Sequence, residues 1–99
     1  MSDADPINPT TSPVLQAERM IEIAERIGFR IRYDYFGGTG GGTCEFAGTK
    51  WLFLDLALSD HERCDVIVEA LVSDPLLGTV ELNDEERSWF GLSPSRRAA

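Results

Sequence analysis

The order of elements in the sequence predicts an α+β fold: a helix, three short strands, a second helix and a short C-terminal helix. Two observations carry this prediction. Apolar residues recur every three or four positions at both ends of the chain, and they alternate or run together in the middle. Because the strands are consecutive and lie between helices, we expect a three-stranded antiparallel meander with the second helix packed on it. Residues 76–82 fit either a fourth strand or a loop.

The first helix is predicted over residues 14–27. Its apolar side chains share one face, while charged residues fill the other, where Glu22 and Arg26 are spaced to pair at i,i+4. Gly28 follows the last apolar residue and suits the position just after a helix end. The sequence therefore predicts an amphipathic helix over these residues.

Three short segments have strand patterns. Residues 29–36 alternate apolar and polar side chains, which indicates a strand with one buried face. Residues 43–47 and 50–55 form two further predicted strands around Gly48. Because residues 51–54 are continuously apolar, we expect this last strand to be central and buried on both faces.

Capping signals define the last two helices. Residues 59–62 fit a capping box, in which a serine hydroxyl and a glutamate carboxylate satisfy each other's backbone amides. Cys64, Ile67 and Leu71 then form an apolar stripe that is typical of core packing. A second capping box at residues 83–86 predicts the short C-terminal helix.

Composition and charge limit the classes of function. The chain has 99 residues and carries 17 Asp and Glu against 9 Lys and Arg, a net charge of −8. This balance argues against nucleic-acid binding and against docking on an anionic membrane. There is no signal-peptide pattern and no apolar run of roughly 20 residues, so we expect a cytoplasmic protein. We predict one domain over residues 14–91, with disordered tails at 1–13 and 92–99.

The run of glycines at residues 37–42 is the most unusual feature. A phosphate-binding loop would be followed by a helix, whereas a strand pattern follows here. So many glycines indicate either mobility or the close approach of another backbone or ligand. We therefore predict a non-catalytic domain that binds a protein partner through this loop. The predicted contact residues are Tyr35, Phe36, Gly38, Gly40, Gly41 and Cys44.

The chemistry-bearing side chains are few. Cys44 and Cys64 do not form a disulfide framework, and His61 is the single histidine. We therefore predict no metal site and no cofactor. Two alternatives stay open. One is a thiol-based enzyme or redox sensor that uses Cys44, with His61 as its base. The other is a homodimeric structural module that associates through an open sheet edge or through residues 89–90.

The block from Tyr33 to Cys44, with its G-G-x-G-G-G-x-C loop, resembles a group of small bacterial proteins that have no assigned activity. The resemblance covers residues 14–73. More distantly, the order of helix, sheet and helix is similar to zincin-like metallopeptidases. In those proteins the helix after the sheet carries H-E-x-x-H, whereas residues 69–73 here read E-A-L-V-S. The resemblance thus implies a zincin-like fold without its metal, and no catalytic residue is carried over.

Overall fold

The computed structural model describes residues 12–38 and 41–94. The expected tails at 1–11 and 95–99 lie outside the described residues. The elements are α1 (Pro13–Arg26), β1 (Phe29–Asp34), β2 (Gly41–Phe46), β3 (Thr49–Asp55), α2 (Asp60–Val72), a 3₁₀ helix (Pro75–Thr79) and α3 (Asp84–Trp89). The α+β class is confirmed. No helix in this part of the chain has the length and apolar character needed to cross a membrane.

The sheet is mixed, so the predicted antiparallel meander is wrong. The strand order is β1-β3-β2, with β3 in the centre, antiparallel to β2 and parallel to β1. The two expectations for this sheet were incompatible, because a meander of three consecutive strands would leave β3 at an edge. The most apolar strand takes the centre, where both of its edges are paired.

A tight turn sets the antiparallel pairing of β2 with β3. Ala47 and Gly48 join these strands, and both have positive φ, +54° and +81°. Two successive left-handed residues form the type I′ turn, whose twist matches that of a hairpin. No comparable turn joins β1 to β2, because residues 35–40 separate them. The chain is therefore able to cross and to place β1 on the far edge of β3.

Both long helices pack on one face of the sheet. Leu52 and Leu54 point to this face and are fully buried against Met20 of α1 and Ile67 of α2. On the other side of β3, Trp51 and its neighbour Phe53 are only half-buried. The prediction that β3 is buried on both faces is therefore wrong, since no described helix covers the second face.

The predicted helix ends are largely confirmed. Ser59 and Glu62 form the capping box of α2, and Asn83 and Glu86 form that of α3. The helix α1 begins one residue earlier than expected, at Pro13, and is capped by the Ser12 side chain. Local side-chain chemistry therefore sets most helix boundaries in this chain.

The segment after α2 does not pair with the sheet. Residues 75–79 form a 3₁₀ helix, and of the two alternatives for residues 76–82 the fourth strand is absent from the described residues. The Asp74 carboxylate accepts from the amide of Leu76 at 2.9 Å, while Pro75 takes the first helical position. Asp74 also pairs with Lys50 at the start of β3, at 2.8 Å. These contacts hold the segment beside the sheet without adding a strand.

Candidate functional site

The candidate site is the face of the sheet that lies opposite the helices. Because successive strand residues point to opposite faces, the register of the three strands places one set of side chains on this side. We call it the open sheet face and define it by six residues: Arg30, Arg32, Cys44, Phe46, Trp51 and Phe53.

One row across the open sheet face consists of Arg30, Trp51 and Cys44. Trp51 lies opposite Arg30 on one side and opposite Cys44 on the other. The Arg30 guanidinium carbon is 5.4 Å from the centroid of the Trp51 ring, a cation–π contact. Cys44 is an exposed free thiol. The row therefore presents a cation, an indole and a thiol to the solvent.

The next row begins with Arg32 and Phe53 and ends at Gly42, which supplies no side chain. The Phe53 ring stacks on that of Trp51, with centroids 6.1 Å apart and an interplanar angle of 16°. Phe36 meets Phe53 edge-on at 5.9 Å. The rings hold one another in defined positions, so the aromatic surface is preformed.

An open cavity of about 290 Å³ lies on this face. Its lining is mostly apolar and consists of Arg32, Cys44, Phe46, Trp51 and Phe53. The Phe46 side chain is 71% exposed, although it belongs to a strand. The cavity is slightly below the roughly 300–1,000 Å³ of small-molecule sites, so its size suits one inserted side chain.

The sequence-predicted contact residues have different positions. Cys44 lies in the open sheet face, and Phe36 packs at its border. Tyr35 is 72% exposed next to Phe36. Gly38 has φ +80°, and a Cβ atom there would meet no atom of the described residues within 4 Å. Gly40 lies outside the described residues. The structure therefore places two of these residues, Cys44 and Phe36, in or against the open sheet face.

Gly41 has a structural role that the sequence left open. It belongs to β2, opposite Leu54, and not to the loop. A Cβ atom at this position would lie 2.0 Å from the carbonyl oxygen of Phe53. Of the two readings of the glycine run, mobility or close approach, Gly41 fits a close approach, and the backbone that it approaches is the chain's own central strand.

Asp55 holds the border of the open sheet face and was missed by sequence reasoning. Its side chain is fully buried, and its Oδ1 accepts from the amides of Phe36 at 3.1 Å and Ala57 at 2.9 Å. The bond to the amide two residues ahead is an Asx turn, which an Asp directly after an apolar strand could have indicated. The bond to Phe36 is non-local and leaves no sequence signal.

A second concave region lies between β2 and α2. The residues of β2 that point toward the helix are Gly41, Thr43 and Glu45, which are too small or too polar to fill the space. Two adjoining cavities of about 290 and 320 Å³ result, with Ala70 and Ser73 on the helix side. Most of β2 is consequently exposed on both of its faces. The lining of this groove is about equally polar and apolar, whereas that of the cavity on the open sheet face is mostly apolar.

The two cysteines differ in their surroundings. Cys64 lies in the core, where burial raises the pKa of its thiol, as expected for a residue of the apolar stripe. Cys44 is exposed on the open sheet face. His61 is an exposed residue of α2, which packs against the opposite face of the sheet. The described structure therefore does not bring the predicted base to Cys44.

The fold and site define a small α+β domain with a mixed three-stranded sheet covered on one face. Neither models of known protein families nor curated proteins match the sequence, and no solved structure matches the fold. The two family resemblances stay predictions, and function is argued from the site alone.

Proposed function

We propose that this chain is a non-catalytic protein-binding domain whose contact surface is the open sheet face, with Phe36 at its border and the exposed Tyr35 next to Phe36 in the chain. The observation that carries the proposal is the group of aromatic side chains on the open sheet face. Sheets with one face toward water normally have polar side chains there. The open sheet face departs from that pattern, because it presents aromatic side chains beside Cys44, namely Phe46 and the stacked Trp51 and Phe53.

The arrangement of these groups supports recognition more than chemistry. Large aromatic side chains that are already held by their neighbours supply contact area at little cost in conformational entropy. The Asp55 carboxylate fixes the amide of Phe36, so the border of the face is also positioned. By contrast, Cys44 has no imidazole beside it among the described residues. The aromatic side chains of the open sheet face are sufficient for binding, whereas nucleophilic catalysis by Cys44 would also need a general base.

Photo-crosslinking tests this proposal directly. Tyr35, an exposed residue next to Phe36, is replaced by p-benzoyl-phenylalanine, which keeps an aromatic ring at this position, and the full chain is irradiated in extract of the cells that produce it. The matched control carries the same group at Val72, which is 47% exposed on α2, away from the open sheet face. We expect one dominant adduct from position 35 that is absent from position 72. Equal adduct patterns at both positions would reject the open sheet face as the contact surface.

A further inference from the structure

We infer that the partner contacts the open sheet face through an acidic stretch of polypeptide that carries an aromatic side chain. This inference rests on the proposed binding function and names the chemistry of its partner. It follows from the distribution of charge on a chain whose net charge is −8.

Arg30 and Arg32 differ from three other cations of the described residues, which are paired with carboxylates, and unlike the exposed Arg26 they share one face of the sheet. Arg19 pairs with Glu86 at 2.6 Å, Arg63 with Asp60 at 2.8 Å, and Lys50 with Asp74 at 2.8 Å. Arg30 and Arg32, in contrast, are exposed and have no carboxylate partner within residues 12–38 and 41–94. Two unpaired arginines on one face of an acidic protein form a local positive patch.

The carboxylates nearest to this patch in the strand register accept hydrogen bonds from backbone amides. Asp34 follows Arg32 on β1, and its Oδ1 accepts from the amide of Tyr35 at 2.8 Å. Asp55, opposite Asp34, is buried and bonded to backbone amides. The fork-shaped guanidinium groups of both arginines are thus available to carboxylates of a partner, which they are able to bind through two parallel hydrogen bonds.

The cavity supplies the second half of the recognition. Arg32 lines the same cavity as Phe46, Trp51 and Phe53, so a cation stands at the rim of an apolar recess. A ring inserted there would contact the aromatic stack, while a neighbouring carboxylate would reach Arg32. Charge complementarity and the apolar lining of the cavity therefore point to the same ligand, an acidic segment with an aromatic residue.

A polypeptide fits these features better than a nucleic acid. Aromatic rings and arginines also bind bases and phosphates, but affinity for a nucleic acid requires several phosphates to be neutralised. Two arginines on a chain of net charge −8 would not offset the repulsion of a phosphate backbone. In an acidic peptide, by contrast, the negative charges needed are few and local.

The test uses a short copolymer of glutamate and tyrosine, only a few residues long, as the probe and polyglutamate of equal length as its comparison, so that the negative charges of the probe are few and local. The full chain carries Trp89→Phe, which leaves Trp51 as the only tryptophan and thus as the reporter of the open sheet face. We expect saturable changes in Trp51 fluorescence and binding of the copolymer at least about tenfold tighter than of polyglutamate. Added salt is expected to weaken binding.

The charge-reversed variant Arg30→Glu with Arg32→Glu should bind the copolymer at least about tenfold more weakly, because it loses the charge-assisted hydrogen bonds to the carboxylates of the copolymer. The milder pair Arg30→Gln with Arg32→Gln should also weaken binding, and far-UV circular dichroism checks that both variants fold. Arg26→Glu, on α1, is the matched control, and its affinity should stay within about twofold of the parent.

Three results would overturn the inference. The first is a failure of the parent protein to bind the copolymer, or an affinity for it that is the same in the parent and in the charge-reversed variant. The second is tighter binding of oligo(dT) than of the copolymer, which would favour a nucleic acid. The third is a change in Trp51 emission with protein concentration alone, which would favour a second copy of the chain. If the copolymer fails but the crosslink from position 35 persists, the acidic partner is rejected and the binding function stands; if both fail, both are rejected.

Discussion

Substitution of Gly41 by alanine tests whether this glycine is needed because a Cβ atom would clash with the central strand, and not only because its φ is positive. Gly41 has φ +80°, and a Cβ atom there would lie 2.0 Å from the carbonyl oxygen and 2.7 Å from the carbonyl carbon of Phe53. Both are backbone atoms of the central strand, so no side chain is able to rotate away. The clash is relieved only if β2 moves or if its pairing with Leu54 breaks.

Gly38 supplies the matched control, because it also has φ +80° but, within residues 12–38 and 41–94, no atom lies within 4 Å of the position of a Cβ. The left-handed conformation costs alanine about 1–2 kcal/mol, and the loss of chain entropy in the unfolded state offsets about 0.4–1 kcal/mol of it. We therefore expect Gly38→Ala to lower the free energy of unfolding by about 1 kcal/mol. For Gly41→Ala we expect the same loss and, because of the backbone clash, a further decrease of about 1–3 kcal/mol in the free energy of unfolding, the range found for overpacked sites.

Urea unfolding followed by tryptophan fluorescence measures both variants under identical conditions. Native-state hydrogen exchange then shows whether the excess loss at Gly41 is local to β2 or global. If Gly41→Ala destabilises the protein no more than Gly38→Ala does, the close approach to Phe53 is not a constraint and this account of the glycine is wrong.

Three further predictions concern the frame around the open sheet face. Asp55→Ala should lower the free energy of unfolding by about 2–3 kcal/mol in urea, and Asp55→Asn by less because it keeps an acceptor oxygen; equal losses would refute this. Burial raises the pKa of Glu86, but hydrogen bonds from the Asn83 amide and from Arg19 outweigh it and hold the pKa below its usual 4.5. A carboxylate whose pKa is lower in the folded than in the unfolded state stabilises the protein at pH values above the unfolded-state pKa, and this contribution is lost as the pH falls through the folded-state pKa. Glu86→Gln should therefore flatten the decline of stability between about pH 5 and pH 3, and an unchanged slope would contradict the assignment. Ala47→Asn should stabilise the protein by about 0.5–1 kcal/mol, because Asn tolerates the left-handed turn better than Ala, and no gain in thermal midpoint would argue against it.

Helices were predictable here because their signals are local. Ser59 and Glu62 lie within one turn of each other, and the spacing of Cys64, Ile67 and Leu71 defines a buried stripe by itself. These signals do not depend on the rest of the fold, so the sequence is sufficient to read them.

Sheet order was not predictable in the same way. Whether β1 pairs with β2 or with β3 depends on competition among strands, and no local pattern reports its result. The apolar run around Trp51 indicated a central strand, which is confirmed, but it did not reveal that only one face would be covered. That outcome depends on where both long helices pack, which is a property of the whole chain.

The candidate site was predictable only in part for the same reason. Tyr35, Phe36 and Cys44 stood out because they flank an unusual glycine run. Arg30 and Arg32 were read as the polar side of a strand, and nothing in the sequence brings them next to Trp51. The parallel pairing of β1 with β3 creates that row, so the charge of the site emerges only with the fold.

The central claim is that the open sheet face is covered when the partner binds, and the alkylation rate of Cys44 tests it most directly. Cys44 is the exposed thiol of this face, whereas Cys64 is buried. The rate of modification by N-ethylmaleimide is measured by mass spectrometry for the free protein and for its isolated complex, with Val72→Cys in a Cys44→Ser background as the control on α2. The account predicts that the complex protects Cys44 by at least about tenfold and leaves position 72 unchanged. Equal alkylation of Cys44 in the free and bound protein would contradict it.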